Sequence, residues 1–115
     1  MRINHDLMRE ILRLIADNDG TKDISTSTFY KLHDSERLVG YHVHLLIEAG
    51  FIKGYDTRCI GYQYDYDCIE LTYQGQLYFE YIENDTVWNK LKNFIKEKSL
   101  PFSIAVIEAY VKQSL

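Results

Sequence analysis

Positive charge is in short supply in this chain of 115 residues: 13 Lys+Arg face 17 Asp+Glu, a formal net charge of −4. A protein that grips nucleic acid by its phosphates usually carries a cationic footprint, so the balance weighs against simple backbone binding. The deficit is uneven, with 8 basic and 12 acidic residues in positions 1–70 and five of each in 71–115. Long apolar runs are missing too. Nothing approaches the roughly 18 residues of a membrane span, and the first residues alternate charged with apolar side chains unlike a secretory signal. A cytoplasmic protein without membrane contact is the expectation. Cys59 and Cys68 are the two cysteines; they fall on two arms of a predicted hairpin, where a bridge is conceivable and reduced thiols are expected in a cytosolic chain.

Chemical motifs are equally scarce. There is no phosphate loop, no nucleophile elbow and no pair of carboxylates set apart from the other surface acids. His33, His42 and His44 with Cys59 and Cys68 include soft metal ligands. However, His42 and His44 would point about 200° apart on a helix, and no Cys-x-x-Cys or His-x-x-x-His spacing occurs. One of that pair can serve as a hydrogen-bonded core histidine. Neither an enzyme nor a metal or other cofactor is expected.

What is present is the patterning of one α+β, mostly α domain. With 46% hydrophobic and 26% charged residues the chain has an ordinary globular composition. Ile3, Leu7, Ile11 and Leu14 or Ile15 recur at helical spacing, and Asn18-Asp19-Gly20 supplies a stop. Ile24 to Leu32 mixes strand, turn and helix formers and predicts a short, poorly formed element. Asp34 offers a cap for a helix from Ser35 to Ala49 carrying Leu38, Val39, Val43, Leu46 and Ile47 inward. Beyond Gly50 the period turns extended: Phe51–Tyr55 and Tyr66–Leu71 read as a hairpin whose connection contains Gly61. Thr72 caps a further helix bearing Leu77, Tyr78, Tyr81 and Ile82. After Asn84-Asp85 comes a helix with Val87, Trp88, Leu91, Phe94 and Ile95, then Pro101 and a Ser103-capped helix with Ile104, Ile107, Tyr110 and Val111. The order helix, weak element, helix, hairpin, helix is that of a winged helix-turn-helix over residues 1–84. Its wing is two-stranded, and residues 85–115 form a C-terminal helical extension, packed on it or used to pair with a second copy.

The stretch Tyr41-His42-Val43-His44-Leu45-Leu46-Ile47-Glu48-Ala49-Gly50-Phe51-Ile52 resembles the third-helix-to-wing junction of bacterial ArsR- and MarR-type regulators. Together with Ile69-Glu70-Leu71-Thr72-Tyr73-Gln74-Gly75 and Asn84-Asp85-Thr86-Val87-Trp88-Asn89-Lys90-Leu91-Lys92, it resembles an uncharacterised bacterial family of this length, common in prophages and mobile elements. The resemblance covers nearly the whole chain and implies a small winged-helix protein, with no family-wide activity or site residues to carry over.

Two candidate surfaces follow. With Leu38, Val43, Leu46 and Ile47 inward, the third helix would expose Ser35, Glu36, Arg37, Tyr41, His44 and Glu48. Of these, Ser35, Arg37, Tyr41 and His44 are the candidates for contacts to DNA phosphates and base edges. On the wing, Tyr62, Tyr64 and Tyr66 alternate, so a regular strand would expose all three on one face while Ile69 and Leu71 turn to the core. With Arg58, Asp65 and Asp67 they would form an acidic, tyrosine-rich surface suited to a basic protein partner. Alternatively, a bulge would turn one or two of the rings back onto the domain. DNA binding in a regulatory role, with an adaptor or inhibitor of a host nucleic-acid enzyme as the alternative, is the expectation.

Overall fold

The spacing of Leu7, Met8, Ile11, Leu12 and Ile15 buries one stripe of helix α1, His5–Ala16. Asn4 caps it by accepting from the Leu7 N–H, and Asp6 and Arg13 lie at the ends their charges favour. The whole is described for residues 2–20, 22–58 and 63–114 of a computed structural model.

The ambiguous segment is a 3-10 helix, Thr26–Leu32. Its run of Ser and Thr competes for backbone bonds, as when the Ser25 N–H donates to Thr28 Oγ1 at 3.1 Å. The buried residues Thr26 and Phe29 then stand one 3-10 turn apart. Helix α2, Glu36–Glu48, is capped by Ser35 rather than Asp34, its hydroxyl accepting from the Leu38 N–H at 3.1 Å. Gly50, at φ +85°, supplies the left-handed residue that ends the helix run before Phe51.

Strands β1, Ile52–Asp56, and β2, Tyr66–Leu71, form an antiparallel two-stranded sheet. Its register pairs Lys53 with Glu70 but Tyr55 with Asp67, so Cys68 and Ile69 together oppose Gly54. This is a bulge on β2, with Cys68 at φ +54°. Because one residue is inserted, Tyr66 and Ile69, three apart, both become core residues. Of the two expectations for this strand, the regular one with Tyr66 exposed opposite Ile69 is thereby corrected, and the bulge that turns a ring back onto the domain is what occurs. The outer side of β2 is not bare, since the Ile69 N–H donates to Ile24 O at 2.9 Å.

Thr72 caps helix α3, Tyr73–Ile82, by accepting from the Gly75 N–H at 3.0 Å. Gly75 is required there, because a Cβ would stand 1.9 Å from Phe51 O. Helix α4, Asp85–Lys98, begins at an Asn84 cap and ends on Ser99 in the left-handed region. Helix α5, Ile104–Ser114, follows, its start held by Ser103 Oγ accepting from the Val106 N–H at 3.2 Å. Buried Arg9 ties α1 to the α3–α4 corner: Nε donates to Ile82 O, and Nη2 to Glu83 O and Asp85 Oδ1. One continuous core runs from Leu12 through Phe29, Val43 and Phe79 to Trp88, Leu91 and Ile107. The fold is α+β, mostly helical.

Candidate nucleic-acid interface

Helix α2 presents Ser35, Glu36 and Arg37 to solvent at its first turn, and Arg37 has no ion-pair partner among the described residues. The Ser35 hydroxyl oxygen is engaged as the helix cap, which leaves its O–H free to donate. Further along the helix the surroundings change. Tyr41 and His44 are half-buried, which corrects the expectation of an open face over the whole helix.

The cover is the segment leading into β2. The Tyr64 ring stacks on the His44 imidazole at 3.9 Å with planes 10° apart, and the Tyr66 hydroxyl lies 2.7 Å from His44 Nδ1. On its other side His44 Nε2 meets Glu48 Oε1 at 2.9 Å. A carboxylate only accepts, so Nε2 carries the proton and, in the neutral ring, Nδ1 accepts from the Tyr66 hydroxyl. Burial, followed by nearby Asp56, pushes the Tyr66 phenol above its ordinary value, which keeps it a donor. The Arg58 guanidinium lies 4.4 Å from the Tyr64 ring centre, and Tyr41 borders the same ring at 6.5 Å. Tyr41 and His44 of the helix and Arg58, Tyr64 and Tyr66 of the hairpin, expected on two surfaces, therefore make one layered cluster. Asp65 and Asp67 stay exposed, and Tyr62 and Cys59 lie outside the described residues.

The position that permits this approach is Gly40, in the middle of α2. A Cβ there would stand 2.8 Å from Tyr64 O. An isolated glycine inside a helical pattern is the sequence signal for such a contact. The hairpin is further pinned by the Tyr66 N–H donating to buried Thr26 Oγ1 at 2.9 Å.

His42, two residues before His44, is the core histidine of the pair. Its Nδ1 bonds Leu38 O at 2.8 Å, and its Nε2 accepts the Asn4 N–H at 2.7 Å. Burial holds it below the usual histidine range. Among the described residues no group of three His, Cys, Asp or Glu is arranged to hold a metal, and no helix is long and apolar enough to cross a membrane. Cys68 is exposed.

The chain is thus a mostly helical α+β domain whose hairpin is locked onto one flank of α2. It belongs to the family described as hypothetical protein (DUF2513), whose pattern matches residues 2–101. It is also 36% identical over 108 residues to an uncharacterized protein of Haemophilus influenzae, covering 94% of this chain and 90% of that protein. No solved structure matches it significantly.

Proposed function

We propose that this chain is a non-enzymatic DNA-binding protein of winged-helix type, acting in regulation, with the start of α2 as its reading element. The observation that carries the reading is the locking of the hairpin against α2 through Tyr64, His44 and Tyr66. A helix held rigidly beside a hairpin, with Ser35, Arg37 and the edge of Tyr41 toward solvent, has the layout of a groove-entering helix flanked by a wing. Residues at the start of such a helix are the ones that reach bases and phosphates. The likeness to ArsR- and MarR-type junctions supports the same reading, and the phage and mobile-element association rests on resemblance alone. Fluorescence titration of duplex and single-stranded DNA over a salt series tests it. We expect salt-sensitive binding that Arg37→Ala weakens about ten-fold; no detectable affinity for either form at low salt overturns it.

A second reading, a protein-interaction module such as an adaptor or inhibitor of a nucleic-acid enzyme, is favoured by a different residue from those first expected. Tyr64 and Tyr66 are engaged internally, but Tyr55 is 72% exposed and sits in the ladder opposite exposed Asp67, next to exposed Asp56. Such a surface suits a basic protein. If a partner recovered from host lysate is retained by a Tyr55→Ala variant, this surface is not the one used.

A further inference from the structure

A cavity of about 410 Å³ opens between the N-terminal arm, the start of α2 and the flank of α4, bordered by Arg2, Asn4, His5, Leu38, Lys92 and Lys96. Three permanent cations thus gather in a chain whose net charge is −4. Asp6 is the one carboxylate on the rim, and it is already engaged: its Oδ1 accepts from Trp88 Nε1 at 2.8 Å and from Lys92 Nζ at 2.9 Å. That pairing neutralises Lys92. Arg2 and Lys96 keep their charge, both exposed and neither ion-paired among the described residues. Half-buried His5 borders the same cavity, its proton affinity lowered by burial first and by Lys96 next. A neutral imidazole still offers an N–H donor.

We propose that this cavity binds a phosphate group, Arg2 and Lys96 supplying charge and His5 a hydrogen bond, and that the group belongs to a nucleic-acid backbone. The inference rests on the DNA-binding reading and deepens it. Leu38, which borders the cavity, belongs to the first turns of α2, so a backbone flanking that helix in a groove would lay a phosphate beside Arg2 and Lys96. A cavity of this size takes a phosphate with part of its hydration shell. The same chemistry would hold a free phosphorylated small molecule, and the experiment separates the two sources.

Backbone amide signals are followed by NMR while inorganic phosphate replaces chloride at constant ionic strength, and then while duplex DNA is added. The native chain is compared with the double variant Arg2→Ala, Lys96→Ala. Neither side chain makes an ion pair among the described residues, so unchanged signals elsewhere verify the fold. Saturable shifts confined to residues 3–6 and 92–96, at least ten-fold weaker in the variant, are expected with phosphate. The log–log salt dependence of DNA binding should also fall by about one in slope. Absent or diffuse phosphate shifts, or shifts the variant retains, overturn the site. DNA binding with an unchanged slope in the variant overturns it too and leaves the DNA reading standing. Phosphate binding without DNA binding upholds the site and overturns the DNA reading.

Discussion

The carbonyl oxygen of Tyr64 lies 2.8 Å from the point where Gly40 would carry a Cβ, so the backbone before β2 rests directly on helix α2. That close approach brings the Tyr64 ring onto the His44 imidazole, stacked at 3.9 Å.

Gly40→Ala sets two effects against each other. Alanine gains about 1 kcal/mol of helix propensity over glycine. The methyl group, however, meets a backbone carbonyl that cannot swing aside, and overpacking of this kind costs about 1–3 kcal/mol. We expect a net loss of up to about 2 kcal/mol in urea unfolding, together with loss of the ring-current shift that Tyr64 imposes on the His44 ring protons. Equal or greater stability with the shift retained would contradict the geometry.

Tyr66→Phe keeps the buried ring and removes the hydroxyl bonded to His44 Nδ1. Removing one partner of such a bond costs about 1 kcal/mol. Restoring the loss is not expected from a second change at Glu48, which bonds the opposite nitrogen. A loss indistinguishable from zero would mean that the Tyr66 hydroxyl does not hold the histidine.

Stability should fall as the solution is acidified below about pH 6.5, the ordinary histidine value. His42 and His5 are both held below it in the fold, by burial in each case. The unfolded chain therefore takes up protons that the folded chain refuses. Their contribution is present above the unfolded value and is lost as the pH descends toward the folded ones. The geometry at His42 agrees, since a proton on Nε2 would face the Asn4 N–H that it now accepts. Urea midpoints at pH 7.5 and 5.0 give the check, with a slope of at most about 1.4 kcal/mol per pH unit for each histidine. A midpoint that rises on acidification would refute the assignment.

Asp6→Asn preserves an oxygen that can accept from Trp88 Nε1 while deleting the one negative charge on the rim of the cationic cavity. Lys92 is then released from its ion pair. We expect phosphate and DNA affinity to rise several-fold at low salt, with the gain shrinking as salt is added. Unchanged affinity across the salt range would show that the cavity's charge does not reach the ligand.

Much of the helical framework could be read from spacing alone, because apolar residues such as Leu7, Ile11 and Ile15 recur with the period of the helix they build. Thr72 announced its cap in the same way. The hairpin surface could not be read so directly. Period-two logic puts Tyr66 and Ile69 on opposite faces, and a single inserted residue reverses that relation without leaving a mark in the hydrophobic pattern. The cationic cavity was hidden for another reason. Arg2 and Lys96 are 94 positions apart in the chain, and they meet at one cavity through tertiary packing, with Asn4 docked on His42 and Asp6 bonded to Trp88 and Lys92 of α4. Total charge, an average over the chain, conceals so local a concentration.

The bond from the Ile69 N–H to Ile24 O reaches beyond the fold of a single molecule. A two-stranded ribbon ordinarily exposes rows of unpaired donors and acceptors, a template on which neighbouring chains can add strands. Here the loop around Ile24 occupies the central stretch of the β2 border, while Lys53 and Asp56 place charges on β1. Crowded copies of this protein are thereby denied a free ledge on β2 for edge-to-edge association, and the hairpin is left to meet ligands through side chains.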